Sequence, residues 1–283
     1  MHFYCVTACL NSRKYIRQTM LSVLEQSSLK TGADSLTYVV RDGGSDDGTL
    51  EIVHDLLDRY RSHEHVKIIC VSEVDSGMYE ALANGFRESP PGDINCYLNA
   101  GDLLSPYAFE IVSGVFSDDR VEFLTGVKVV YNERGHMIRY SLPFAYNPRL
   151  FKTGFYGSLL GHLQQESTFW NARLHSLVDL SMLAKFKLAG DFYLWSVFLQ
   201  HANIHIVEAW LGGFRLHAGQ LSARYAEEYD RELRMIASPR IPTDYFIAGF
   251  YWMAEYFPDQ IKRVFNRRII RYNCGLGRYE IRY

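Results

Sequence analysis

Four short apolar runs, Phe3 to Ala8, Leu36 to Val40, Val66 to Val71 and Ile94 to Leu98, each stop abruptly at a small polar turn. Runs of this length, bounded by turn residues, read as buried strands. Between them the apolar spacing changes to that of a helix. Ile16, Met20, Val23 and Leu24 recur at helical intervals, and Ile52, Val53, Leu56, Leu57 and Tyr60 share one helical face. A further helix is expected from about Met78 to Phe86. Strand and helix alternating at this spacing predict a parallel sheet of right-handed βαβ units. In such a sheet the loops at the carboxyl ends of the strands gather on one edge, where ligands bind. Asn11, Asp42, Asp75 and Asp102 stand in those loops and are expected to converge.

At 283 residues, 48% apolar and 22% charged, the chain can bury an ordinary globular core as one large domain or a domain with an extension. A formal net charge of −2 gives no footprint for nucleic acid. The five cysteines lack C-x-x-C spacing, and three lie in strand-like runs, so they read as reduced core residues of a cytosolic protein. No secretory leader is expected at Met1-His2-Phe3-Tyr4. The apolar segment Tyr245 to Phe257 is too short for a membrane span, which takes about 20 residues.

Beyond Asp102 the pattern loosens. Val121 to Tyr131 predicts one longer strand, with Asn132-Glu133-Arg134-Gly135 as a hairpin turn. Phe144 to Tyr156 is expected to form an aromatic flap. Ile204 to Trp210 predicts another strand, and the remainder reads as helical.

Several motifs are decided by exclusion. Counted from Asp42 as an EF-hand loop, position six is Asp47 instead of Gly and position twelve is Val53 instead of Glu. No Gly-Lys-Ser/Thr ending makes it a phosphate loop, and no G-x-G-x-x-G follows a strand. What remains is a strand-ending Asp in a glycine-rich turn: a plain βα turn or a binding loop. Asp102 can equally cap the next helix or hold a divalent cation. Asp191, after Ala189-Gly190, opens an apolar helix and on its residues alone reads as an N-cap.

Taken in order, Thr7-Ala8-Cys9-Leu10-Asn11, the Asp42 to Thr49 loop, Asp75-Ser76-Gly77-Met78-Tyr79-Glu80-Ala81 and Leu98-Asn99-Ala100-Gly101-Asp102 resemble family 2 glycosyltransferases of the GT-A fold. Bacterial enzymes that assemble surface polysaccharides are the nearest type. Gln165-Glu166-Ser167-Thr168-Phe169-Trp170, Ala189-Gly190-Asp191 and Phe214-Arg215-Leu216-His217 resemble the acceptor half of the same family. The resemblance runs over about residues 3 to 222. It implies an α/β, Rossmann-like, mainly parallel sheet flanked by helices over 1–222; the carboxy-terminal extension over 223–283 lies outside it and is expected to be helical from its own pattern. The nucleotide-sugar half would be about 1–105 and the acceptor half about 106–222.

The resemblance also implies site roles. Thr7 and Asn11 would sit at the nucleotide end of a site for a nucleotide-sugar, most often a UDP-sugar. Asp42 would accept from the uracil ring, and Asp75 would line the base and ribose pocket. Asn99 and Gly101 belong to the same nucleotide loop; the family usually has a ribose-contacting acid where this chain has Gly101. Asp102 would bridge Mn²⁺ or Mg²⁺ to the diphosphate, with His217 either an additional ligand or a solvent-facing loop histidine. Asp191 matches the catalytic base, which implies direct displacement with inversion. Gln165 and Glu166 would form the acceptor or sugar pocket, where Trp170 and Trp195 either stack on sugar faces or belong to the core. The acceptor would be a saccharide, free or lipid-linked.

Residues 259–283 concentrate seven basic side chains against Asp259 and Glu280. Drawn as one helix, Ile261, Val264, Phe265, Ile269 and Tyr272 share a side. The segment is expected either to lie on an anionic membrane surface, at the inner face of the membrane, or to pack on the catalytic domain. Two other functions fit parts of this pattern: a nucleotidyltransferase, which lacks here a basic glycine-rich loop, and a non-catalytic sugar-nucleotide-binding scaffold.

Overall fold

The computed structural model describes residues 1–216 and 226–281. The strands in chain order are β1 (His2–Cys9), β2 (Ser35–Asp42), β3 (Val66–Ser72), β4 (Ile94–Tyr97), β5 (Leu103–Leu104), β6 (Phe123–Thr125), β7 (Lys128–Tyr131), β8 (Met137–Ser141), β9 (Thr168–Asn171), β10 (Ile204–Val207), β11 (Gly212–Arg215), β12 (Ile269–Asn273) and β13 (Arg278–Ile281). Nine of them form one sheet in the order β13-β12-β10-β6-β9-β4-β1-β2-β3. The pairs β4-β1, β1-β2 and β2-β3 are parallel, as predicted, and the helices Ile16–Leu24, Thr49–Tyr60 and Met78–Gly85 follow β1, β2 and β3. β9 runs antiparallel between β4 and β6 and joins the two halves.

Side chains alternate across β1. Tyr4, Val6 and Ala8 enter one hydrophobic cluster, whereas Phe3, Cys5 and Cys9 enter the cluster on the other face. The expected strand over 121–131 divides instead into β6 and β7, which belong to different sheets. The break falls at Gly126, whose N–H bonds the Ser167 carbonyl and where a Cβ would stand 2.9 Å from the Ala209 carbonyl oxygen. β7 and β8 form the predicted hairpin, within a small sheet ordered β5-β11-β7-β8.

The tail departs most from expectation. Its first part is helical, Ala226–Ile236, Pro242–Ala254 and Asp259–Phe265, but the helix predicted through Tyr272 stops at Phe265. Asn266 turns extended, and Ile269 and Ile270 are buried in β12, parallel to β10. The extension therefore completes the main sheet. The Phe144 to Tyr156 segment is no open flap: Leu150, Phe151, Phe155 and Tyr156 are buried around a short helix, Pro148–Lys152. All five cysteines are free, and three are buried.

His175 is buried between Phe86 and Trp170, and the Trp170 indole N–H donates to its Nδ1 at 3.3 Å. Burial pushes its pKa down from 6.5 to about 4. A proton taken up on unfolding favours the unfolded chain. His175 thus contributes its full stabilisation above pH 6.5 and loses it as pH falls towards 4, by up to about 3 kcal/mol. Urea unfolding of wild type and His175→Gln between pH 7 and pH 4 should show a shallower acid-side loss in the variant.

Candidate active site

The loops leaving β1 and β2 are laced together. Asn11, with φ of 48°, donates its backbone N–H to Ser45 Oγ at 2.7 Å, and its side-chain oxygen accepts from the Asp46 N–H at 3.1 Å. The Asp42 carboxylate accepts from the Gly44 and Ser45 N–H groups, the Ser72 hydroxyl and the Ser45 hydroxyl. A carboxylate has about four acceptor positions, so this one is saturated by its own turn together with Ser72 at the end of β3. Burial would raise its pKa, but the bonds from Ser45, Ser72 and Gly44 hold it below the ordinary range. Asp47 accepts from the Thr49 N–H and hydroxyl at the start of the next helix. Thr7 is wholly buried in β1 against the Tyr38 hydroxyl, 2.8 Å away. Thr7 and Asp42 are thus buried under the edge, while Asn11 is exposed and ties its two loops together.

One oxygen of the Asp75 carboxylate accepts from the Gly77 N–H at 2.9 Å, and the other has no hydrogen-bond partner among the described residues. A Cβ on Gly43 would stand 3.1 Å from that second oxygen. Glycine there keeps the carboxylate reachable.

The loop after β4 is shaped by Gly101. Its φ of 127° is a conformation that side chains rarely adopt, so a second acid before Asp102 would be strained. Its N–H donates to Thr19 Oγ1, and its carbonyl accepts from Arg215 Nε at 2.6 Å. The Arg215 backbone N–H donates to Asp102 Oδ1 at 2.9 Å, while its guanidinium reaches the Glu133 carbonyl and Gln18. Arg215, buried at 1% exposure, ties the small sheet to this loop. Its place in Phe214-Arg215-Leu216-His217 is the signal that could have marked it. His217 itself lies outside the described residues. Asn99 Oδ1 is buried in the same loop without a hydrogen-bond partner.

Glu166 comes to Asp102 from the other half of the molecule. It lies in the tight turn Gln165–Ser167 before β9, and the Glu166 backbone crosses directly over Gly212, where a Cβ would overlap its carbonyl oxygen. The Glu166 and Asp102 carboxyl groups interact directly, each residue only 5% exposed, and neither forms an ion pair with a basic side chain among the described residues. Burial raises both, Glu166 to about 7 and Asp102 well above the carboxylate range; the Glu166 charge adds to the rise at Asp102, Arg215 opposes it, and a hydrogen bond with Asp102 holds Glu166 down. Gln165 beside them is buried, with both amide atoms unpartnered. No group of three or more metal-ligating side chains occurs among the described residues. A hard-oxygen pair next to unpartnered buried amides nevertheless suits Mn²⁺ or Mg²⁺ completed by ligand oxygens.

Asp191 opens the helix Gly190–Phe198, and its carboxylate accepts from the Phe192 N–H at 2.7 Å. It lines a narrow pocket with Phe151, Tyr156, His162, Trp195 and Tyr229. Burial raises its pKa, and the charge of His162 opposes the rise. Gly190 admits the Tyr79 ring, which a Cβ would overlap. Between the two acidic centres lies Tyr97, whose buried hydroxyl has no hydrogen-bond partner and feels the charges of both Asp191 and Glu166. Trp170 does not line the Asp191 pocket. It is fully buried in the core, packed on Trp195, Phe198 and His175.

One positioning residue left no sequence signal. Glu232, on the helix Ala226–Ile236, accepts from the N–H groups of Lys187, Leu188 and Ala189 at 2.8–2.9 Å, and so anchors the approach to Asp191. Tyr229, one turn earlier, meets His162 at 3.3 Å over the same pocket. Glu232→Ala would orphan three N–H groups at a cost of about 1–3 kcal/mol. It should also lower turnover roughly ten- to hundredfold by displacing Asp191. Chemical denaturation and steady-state rates of the variant check both effects.

Comparisons with known proteins bear on the family and the fold. The profile of Glycosyl transferase family 2 matches residues 4–178. No curated protein matches the chain. Among solved structures, that of S. aureus TarS 1–349 superposes with a TM-score of 0.59 at 16% identity, covering 93% of this chain and 73% of that one. TarS 1–349 in complex with UDP-GlcNAc gives 0.56 at 16%, covering 93% and 69%. The mannosyltransferase PcManGT from Pyrobaculum calidifontis, in complex with GDP-Man and Mn²⁺, gives 0.56 at 14%, covering 92% and 71%. Against the longer S. aureus TarS structure the chain spans 39% of its length. The mainly parallel sheet flanked by helices is the expected GT-A architecture. With more than half of its length matched by the profile, the chain belongs to glycosyl transferase family 2.

Proposed function

We propose that this glycosyltransferase moves a sugar from a nucleotide-sugar, a UDP-sugar in our reading, to a saccharide acceptor with inversion, in the assembly of a surface polysaccharide. One observation carries the reading. Two acidic centres, the buried pair Asp102 and Glu166 and the half-buried Asp191 beside His162, flank Tyr97 at the carboxyl edge of the sheet. Asp75 would accept from the nucleoside through the oxygen that Gly43 leaves uncovered. Thr7, Asn11 and Asp42 would keep that edge in shape. Asn99 and the Gly101 backbone would border the diphosphate. We place the nucleotide-sugar half at about 1–105, the acceptor half at 106–222 and the extension at 223–283.

Asp102 and Glu166 would hold Mn²⁺ or Mg²⁺, which, when bound, neutralises the charge of a departing diphosphate. Glu166 thereby moves from the expected sugar pocket to the metal side, while Gln165, with both amide atoms unpartnered, would hold sugar or phosphate oxygens. Asp191 would take the proton of the attacking acceptor hydroxyl. Its raised pKa suits that task, since an acid nearer neutrality is a stronger base once ionised. Tyr229, His162 and Trp195 would border the acceptor. A donor that is a nucleotide-sugar, in a chain of free thiols, fits the cytosol.

The test is nucleotide release across a panel of UDP- and GDP-sugars, with Mn²⁺ and with EDTA, in the presence of saccharide acceptors. Metal-dependent release of one nucleotide supports the reading. Absence of nucleotide binding across the panel overturns it.

A further inference from the structure

The helix Pro242–Ala254 is apolar nearly all round, yet only Asp244, Ala248 and Ala254 are buried. A helix of that kind ordinarily has cover on every side. Here one side packs on Phe144 and Phe155, and the rest stands in the open. Phe246 is 81% exposed, Tyr256 75%, Val264 76% and Phe265 68%, with Trp252 half exposed beside them. An apolar surface of this extent marks an interaction face. It continues into an open groove between Tyr251 and Phe265 that ends at Arg267 and Arg268, and neither arginine forms an ion pair among the described residues.

We propose that this face docks on an anionic membrane surface, the aromatic side chains entering the headgroup boundary and Arg267 and Arg268 meeting lipid phosphates. The chemistry is that of an interfacial helix: Trp, Tyr and Phe at the level of the headgroups, cations at the flank. No helix among the described residues is long and apolar enough to cross a membrane, so the contact is peripheral. Charge separates this partner from a second copy of the chain. A twofold interface must be self-complementary, so the arginines of one copy would need free acids on the other. Every acid between residues 241 and 273 is already paired within the chain: Asp244 with Arg149, Glu255 with Lys128 and Asp259 with Lys262. Lipid phosphate supplies what a second copy lacks.

The face also borders the acceptor end. Tyr245 packs edge-on against Phe155, in the segment whose Phe151 and Tyr156 line the Asp191 pocket. Docking would present that pocket to an acceptor carried on a lipid; this last step rests on the proposed function, whereas docking itself does not.

The experiment is flotation of the full chain with vesicles of phosphatidylcholine alone or mixed with phosphatidylglycerol. The wild type should float with the mixed vesicles and be partly released by salt. Phe246→Ser with Phe265→Ser should reduce bound protein at least tenfold, and Arg267→Gln with Arg268→Gln should remove the preference for anionic vesicles. Nucleotide release with a soluble acceptor should be unchanged in both. If circular dichroism shows the aromatic pair misfolded, Tyr256→Ser with Val264→Ser takes its place. Equal flotation of wild type and variants, no flotation, or a dimer in sedimentation that the aromatic substitutions dissociate would overturn the proposal. None of these outcomes depends on turnover, so a failure of docking and a failure of the transferase reading are told apart.

Discussion

Asp191→Asn should lower transfer about a thousandfold while leaving donor affinity within about threefold. A positioned general base contributes roughly 10²–10⁴ to rate, and asparagine removes the proton acceptor without changing the side chain's size. The amide oxygen can still accept from the Phe192 N–H, so the helix start should survive. The pH profile supplies a second readout. Burial raises the Asp191 pKa, so wild-type activity should fall on the acid side at a pH above the ordinary carboxylate range. The base acts only when ionised, so activity should rise with pH through that value, and the variant should lose this limb. Pre-steady-state transfer and donor titration separate the two effects. An unchanged rate would point to the non-catalytic binding protein instead.

Asp102→Asn is expected to lower transfer at least a hundredfold and to weaken Mn²⁺ binding at least tenfold, read by titration calorimetry in the presence of nucleotide. Charge stabilisation of a leaving diphosphate by a divalent ion amounts to several kcal/mol, and about 1.4 kcal/mol is a factor of ten. The same substitution should raise the thermal midpoint of the metal-free protein. It removes a buried acid whose ionised form burial and the Glu166 charge both oppose, and asparagine still offers an oxygen to the Arg215 N–H. Glu166→Gln should behave in the same direction on both counts. Stability gained as function is lost is the mark of a site that holds unfavourable charge for a ligand. A variant both weaker in metal binding and less stable would argue that Asp102 has a purely structural role.

The amino-terminal part, about residues 1–105, was largely legible because its signals are local. Strand and helix periods, and the turns that end β1 to β4, lie within a few residues of each other, so the parallel order and the gathering of Asn11, Asp42, Asp75 and Asp102 on one edge could be read directly. The same local reading carries no record of what those side chains bond to. Asp42 was expected to meet a ligand, yet its acceptors are filled by Gly44, Ser45 and Ser72, and Ser72 belongs to the next strand. Trp170 sits in a motif that points to the site, but in a strand successive side chains face opposite ways, and this one faces the core. The tail was read as one helix because Ile261 to Tyr272 keeps a helical spacing of apolar residues; pairing with β10 and β13 overrides that spacing after Phe265.

Local pattern was thus sufficient for the fold class, the edge where ligands would bind and the candidate acids on it. Tertiary structure alone decided which of those acids meet. Glu166 reaches Asp102 only because Gly212, on a third segment, has no side chain to block the Glu166 backbone. Glu232 is sequence-distant from the N–H groups it anchors, and helix Pro242–Ala254 is left uncovered by the packing of its neighbours. Contacts between distant segments depend on how whole elements stack, and a sequence written residue by residue carries no period that records them.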